Sequence, residues 1–247
     1  MSIIQIEHLI KRFAGVIALD DVSFAVDEGS IHAVIGPNGS GKTTLFNIIS
    51  GVYRATAGSV VFDGEPIQGL RPFQIVRRGL SRTFQHPRLF GSMTVIEQLI
   101  VALHPSKLWE FDKQSEQIAR EKLNLVGLEH VADIPAASLP QGQRRLLEIA
   151  RALCLEPRVL LLDEPHAGLN PVETEQLMVL IRKINQQGIT ILLVEHEMRV
   201  VMTLANKITV LNFGRLLAVG SPQEIQNNPE VITAYLGVRE GRLTTHA

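Results

Sequence analysis

Gly36-Pro37-Asn38-Gly39-Ser40-Gly41-Lys42-Thr43 satisfies the pattern G-x-x-x-x-G-K-S/T at every defined position. Glycine lets a backbone curl closely around phosphate, where a Cβ would clash. Successive N–H groups and the start of a following helix then face the anion. In such a loop Lys42 reaches the β- and γ-phosphates, and the Thr43 hydroxyl is a ligand for Mg2+. A second chemical element is Leu160-Leu161-Leu162-Asp163-Glu164-Pro165. An apolar strand ending in aspartate puts that carboxylate at the C-terminal edge of a sheet, where open α/β sheets bind ligands. Asp163 is expected to hold Mg2+, mainly through water, and Glu164 to orient and deprotonate an attacking water. Alone, such a pair is also an ordinary acidic turn; the phosphate loop upstream favours the chemical reading.

These groups need elements to hold them. Residues 31–35 form a short apolar strand that runs into the glycine loop, and residues 43–49 read as a helix leaving it. Residues 3–35 read as β-rich: Val22, Phe24 and Val26 alternate with polar or small residues, and Asp27-Glu28-Gly29 is a turn signal. Residues 94–126 read as mostly helical, with a break around His104-Pro105. From Gln143 onward, Leu146, Leu147, Ile149, Ala150, Leu153 and Cys154 recur at helical spacing. Apolar strands at 159–162, 189–194 and 208–211 follow, with a helix after Pro171. Strands alternating with helices imply a parallel sheet covered on both faces. The expected fold is α/β: a phosphate-loop nucleotide-binding core with an N-terminal antiparallel β-layer. The whole of 1–247 is expected to be a single domain, with a helical subdomain at roughly 86–155 inserted in it.

Composition narrows the function class. The chain has 247 residues, 45% hydrophobic and 20% charged, enough apolar residues for a sizeable core. The net charge of -1 carries no basic excess that would suggest nucleic acid. The one cysteine, Cys154, excludes an internal disulfide framework and fits a reducing compartment. The N-terminus alternates like a strand and does not read as a signal peptide. No apolar stretch approaches the roughly 20 residues of a spanning helix, so any membrane role is expected to run through a partner.

Leu139-Pro140-Gln141-Gly142-Gln143 opens the amphipathic helix just before the Asp163 strand. It resembles the LSGGQ signature of ATP-binding cassette (ABC) proteins, departing from it at Pro140 and Gln141. Phe13 matches the position of the aromatic that stacks on adenine. Gln85, in Arg82-Thr83-Phe84-Gln85, matches the glutamine that senses Mg2+ and the membrane partner, and His196 the switch histidine at the γ-phosphate. Ala167-Gly168-Leu169-Asn170 occupies the D-loop position, with Asn170 where many members carry aspartate. The resemblance runs the length of the chain. Local runs such as Gly79-Leu80-Ser81-Arg82, Met93-Thr94-Val95-Ile96-Glu97 and Asn228-Pro229-Glu230-Val231 are similar to the ATPase subunit of bacterial branched-chain amino-acid importers. Urea, amide and other amino-acid importers share much of them.

The resemblance implies an ATPase with ATP and Mg2+ as cofactors. ATP is implied at Phe13, at Gly36, Pro37, Asn38, Gly39, Ser40, Gly41, Lys42, Thr43 and Thr44, and, across a dimer, at Leu139, Pro140, Gln141, Gly142 and Gln143. Catalysis is implied at Lys42, Gln85, Glu164 and His196, and the metal at Thr43, Gln85 and Asp163. Implied partners are two transmembrane permease subunits, a second cassette in a homodimer or heterodimer, and indirectly a solute-binding protein, with no nucleic acid. The implied location is the cytoplasmic face of the membrane, held through the permease, with the coupling contact near residues 86–103. A non-transport ABC ATPase and a phosphate-loop kinase or phosphate-binding regulator remain as alternatives. The first is disfavoured because the chain lacks long coiled coils or a tandem cassette, the second because of the signature helix and His196.

Overall fold

In β1 (Ser2–Phe13), Ile4 and Ile6 are buried while Gln5 and Glu7 beside them are exposed, the period of two expected of a strand with one apolar face. The computed structural model describes residues 1–84, 89–103 and 112–240, with the backbone path alone for 236–240. On one side β1 pairs antiparallel with β2 (Val16–Asp27), setting Ile4 opposite Val26 and Ile6 opposite Phe24. After β3 (Ile31–Ile35) and α1 (Lys42–Ile49) the chain returns as β4 (Ala57–Phe62) on the other side of β1, with Phe62 opposite Ile4 and Val60 opposite Ile6. β5 (Glu65–Pro66) completes the order β2-β1-β4-β5. This is the expected antiparallel layer; β1, β2 and β4 hold one register over Ile4–Ile6, where their apolar face is continuous, and irregularities shift it on either side.

The chain divides into two compact units, Met1–Ile75 with Thr190–Ala247, and Val76–Ile189. In the first, every residue of β3 is buried, as a strand covered on both faces must be. β3 lies parallel between β8 (Thr190–Val194) and β9 (Lys207–Asn212), with Val34 paired to Val194 and to Thr209. β10 (Arg215–Gly220) adds an antiparallel edge to β9. α7 (Met198–Leu204), α8 (Pro222–Gln226) and α9 (Pro229–Glu240) supply Val201, Ile225 and Val231 to a cluster with Ala33, Ile35, Ile208 and Val210. Chain order passes from α2 (Pro72–Arg77) into the second unit, where β6 (Leu80–Arg82) runs parallel to β7 (Val159–Asp163). The unit also holds α3 (Val95–Leu103), α4 (Lys113–Leu125), α5 (Gln141–Leu153) and α6 (Pro171–Gln186); α5 packs on β6, and α3, α4 and α5 pack on one another. The helical reading of residues 94–126 corresponds to α3 and α4; the break expected at His104-Pro105 falls outside the described residues.

His32 sits in the middle of β3, fully buried, with Nε2 2.8 Å from Thr209 Oγ1 on the neighbouring strand. Burial, with a smaller contribution from Lys207, pushes its imidazole down from the ordinary 6.5 to about 4. The unfolded chain therefore binds a proton below pH 6.5 that the folded chain refuses until about pH 4. Stability is fully present above pH 6.5 and falls as the pH drops, by about 3 kcal/mol when both states are protonated. Urea unfolding between pH 7 and 4 measures this, and His32→Gln is expected to flatten the slope in that window relative to the parent chain.

Candidate functional site

The first unit carries the phosphate loop. β3 delivers the chain to Gly36, where φ is 154° and an added Cβ would overlap the Leu211 carbonyl oxygen and lie 2.5 Å from Ser40 Oγ. Gly41 has φ 106°, and a Cβ there would meet the Ala18 carbonyl oxygen and a Leu19 methyl, each at 2.7 Å. These two glycines are thus required by close backbone packing as well as by any ligand. No side chain caps α1 at Gly41, leaving its positive end uncapped by a carboxylate or hydroxyl. The Lys42 ammonium is buried and donates to the carbonyls of Gly36 at 2.8 Å and Pro37 at 3.0 Å. Ser40 Oγ is buried without a hydrogen-bond partner among the described residues. A buried ammonium on loop carbonyls and an unsatisfied hydroxyl beside it fit a phosphate, which would accept from both. Asn38 and Thr43 are exposed, and Pro37 and Thr44 half-buried.

Two further predicted residues lie in the same unit. Phe13 ends β1 with its ring 38% exposed, set edge-on to Tyr53 at 5.3 Å and facing the Lys11 ammonium at 4.6 Å. An aromatic ring left in solvent and braced in this way suits stacking on a flat ligand. His196 follows the buried end of β8 and is exposed, its N–H donating to Glu195 Oε2 at 3.3 Å.

The second unit carries the acidic pair and the signature. Asp163 ends β7 and is 4% exposed, its Oδ2 accepting from Arg82 Nη2 at 2.7 Å. Glu164 follows with φ 46°, in the left-handed region that β-carbon sterics disfavour. Such strain at a half-buried acid directly after a strand is common at functional positions. The donors expected for the metal, the Thr43 hydroxyl and the Asp163 carboxylate, are hard oxygens, the kind Mg2+ takes. Gln85, the third expected donor, lies outside the described residues.

Pro140 stands at the N-cap of α5, exposed, with φ −56° and ψ 159°, and Gln141 is the first helical residue. Proline offers no hydroxyl to the first turn, and α5 has no side-chain cap. Leu139 is buried, Gln141 exposed and Gln143 half-buried. Gly142 is buried, and a Cβ there would come within 2.7 Å of Glu173 Oε1 and 3.3 Å of Leu169. A preference for glycine therefore has a cause inside the chain, since a side chain there would have to displace the Glu173 carboxylate. Asn170 is the N-cap of α6: its Oδ1 accepts from Val172 N and Glu173 N, while Glu173 Oε2 accepts from Asn170 N. Asparagine and aspartate cap equally well, so the departure at Asn170 keeps the cap.

Sequence reasoning missed the charged residues that hold this unit together. Arg145 Nη1 donates to the Phe84 carbonyl at 2.7 Å, and Phe84 N–H donates to Glu148 Oε1 at 2.9 Å. Arg145 and Glu148 are both buried and 3.4 Å apart. Burial pushes the Glu148 carboxyl up, against the lowering effect of the Phe84 N–H and Arg145. Their i, i+3 spacing on α5 was visible, but the Phe84 backbone they grip lies more than sixty positions upstream and carries no sequence signal.

Against known proteins, residues 19–167 match the model of the ABC transporter family, and residues 215–241 a model described as branched-chain amino acid ATP-binding cassette transporter. The chain is 45% identical to the high-affinity branched-chain amino acid transport ATP-binding protein LivG of Salmonella typhimurium, over 95% of this chain and 98% of that one. It is 43% identical to the corresponding protein BraF of Pseudomonas aeruginosa, with the same coverage. Among solved structures, an ATP-binding cassette of an ABC transporter in its ADP conformation superposes with a TM-score of 0.89 at 33% identity, covering 96% of this chain and 99% of that one. With a phosphate loop whose lysine and serine await an anion, and with these matches spanning nearly its full length, the chain belongs to the ABC transporter family as an ATP-binding cassette.

Proposed function

We propose that this chain is the ATP-hydrolysing subunit of an importer for branched-chain amino acids. The observation that carries hydrolysis is the Lys42 ammonium held on two loop carbonyls beside the unsatisfied Ser40 hydroxyl. What supports the solute is the match of residues 215–241 and the named transport role of the LivG and BraF relatives. Lys42 exchanges its carbonyl partners for the β- and γ-phosphate oxygens, and the amides at the start of α1 take the remaining charge. Glu164 accepts a proton from a water that attacks the γ-phosphorus in line, while the bond to ADP breaks. His196 contacts the γ-phosphate, and Phe13 stacks on the adenine. Bound Mg2+ would supply charge neutralisation at the phosphates, with Thr43, Gln85 and Asp163 as its protein ligands, directly or through water.

Leu139, Pro140, Gln141, Gly142 and Gln143 close over the nucleotide of a second cassette, identical or related. Residues 1–247 act as one cassette, with residues 86–155 as its helical subdomain. No helix among the described residues is long and apolar enough to cross a membrane. In this reading the chain attaches to the cytoplasmic face through two permease subunits, served by a solute-binding protein; the transport role named for the LivG and BraF relatives supports attachment to a transporter. Phe90 suits the permease contact: its ring is 51% exposed while its backbone is tied down by buried Gln98, through Nε2 to the carbonyl at 2.6 Å and Oε1 from the N–H at 3.2 Å. Reconstitution with its permease pair and binding protein in proteoliposomes tests the reading. ATP-driven uptake of leucine, isoleucine or valine is expected, and Phe90→Asp is expected to abolish uptake while leaving ATP binding in place. ATP-driven uptake of urea in their stead would reassign the solute.

A further inference from the structure

Asp163 and Arg82 form a buried ion pair inside the second unit, with the two side chains 5% and 6% exposed and 2.7 Å between Oδ2 and Nη2. Among the described residues this is the only partner of the Asp163 carboxylate. Arg82 is placed by more than its own strand. It ends β6, where it pairs with Leu161 of β7 two residues before Asp163. The ring of Phe84 lies against its guanidinium, 5.1 Å from ring centre to Cζ. The backbone of Phe84 is in turn held on both sides by α5, through Glu148 Oε1 at its N–H and Arg145 Nη1 at its carbonyl. A carboxylate buried this deeply needs a hydrogen-bonding partner to hold its place. A guanidinium set against an aromatic ring keeps it aimed, and a planar fork does so better than a point charge.

The geometry points to Arg82 as a positioning residue for the metal site: it holds the Asp163 carboxylate in a fixed orientation so that a divalent cation beside the nucleotide meets a preset ligand. This rests on Asp163 being the metal carboxylate. Glu148 and Arg145 act one step further back, by holding the backbone of Phe84, whose ring backs Arg82. The arrangement ties the helix that opens at the signature to the carboxylate at the end of β7 through the side chains of Arg145, Glu148, Phe84 and Arg82 and the Phe84 backbone.

The test uses Mn2+ as the probe, followed by electron paramagnetic resonance in the presence of ADP, with ADP affinity in chelator measured separately. Arg82→Met is expected to weaken Mn2+ binding by about tenfold or more, with metal-free ADP affinity unchanged. Arg82→Lys is expected to fall between that variant and the parent, because it restores the charge without the fork. Should Arg82→Met not fold, Arg82→Lys and the neutral pair Arg82→Met with Asp163→Asn decide the matter. Arg82→Lys must then lose Mn2+ affinity, and the neutral pair must refold without recovering it. Mn2+ affinity within twofold of the parent in Arg82→Lys and in whichever Arg82→Met protein folds, whatever the loss in melting temperature, would overturn the inference and leave Arg82 a purely structural partner. Asp163→Asn separates the two levels of the argument. If it too leaves Mn2+ affinity unchanged, the metal reading itself fails; if it alone weakens binding, only the role of Arg82 fails.

Discussion

Lys42→Ala is expected to lower ATP turnover by about 100- to 1000-fold, the effect of removing one preorganised charge from a phosphoryl-transfer site. The size follows from where the ammonium sits. It is 7% exposed, already inside the loop, and bonded to carbonyls of Gly36 and Pro37 that a phosphate would displace. Little reorganisation is then needed at the moment of binding, and what the alanine variant loses is a charge-assisted contact made in a water-poor site. The fold should survive. Two loop carbonyls lose a donor, at a net effect of about 1 kcal/mol, which for a chain of this size lowers the melting temperature by roughly 2–4 °C. Turnover and melting measured on the same preparation distinguish the two effects. Near-normal turnover would remove Lys42 from the chemistry, and a collapse of the melting transition would make it a structural lysine.

Glu164→Gln is expected to reduce hydrolysis by about 100-fold or more while leaving ATP binding in place. Glutamine keeps the size and the acceptor oxygen but cannot take a proton from water. The backbone there has φ 46°, a conformation that glutamate and glutamine bear at equal strain, so the substitution tests the carboxylate and not the turn. The loss of one negative charge near the γ-phosphate should also favour the nucleotide-bound dimer. Size-exclusion chromatography with and without Mg-ATP reads that shift, and single-turnover hydrolysis reads the chemical step. An unchanged rate would move the base to another residue, with His196 the first to test.

The sequence alone determined the groups whose chemistry depends on neighbours in the chain. The phosphate loop was legible because strand, glycines, lysine and helix must follow one another within a dozen residues for the backbone to wrap an anion. Its strand and helix appear as β3 and α1. The strand leading to Asp163 was legible because a strand buried on both faces reads as one apolar run. The signature helix was legible by its 3.6-residue period, which begins at Gln141 in the structure. Weakly patterned elements escaped: β10, half-buried along most of its length, has no alternation for a period-based reading to detect.

Tertiary structure decided which polar groups became partners across long separations. Arg82 meets Asp163 eighty-one positions away, and Phe84 meets Glu148 sixty-four away. His32 is set against Thr209 at a separation of 177. Arg82, Asp163, Glu148 and Thr209 are of types usually found at the surface, and single-chain pattern reading assigns such residues to solvent. Only the pairing of β6 with β7, and of β3 with β9, brings each into a place where an unpaired polar group would be costly and its partner supplies the missing bond. The same physics explains Asn170 and Gly142. One is tolerated because its side chain caps α6, and the other is favoured because a side chain there would have to displace the carboxylate of Glu173 from that cap, a fact of packing that no spacing within residues 139–143 encodes.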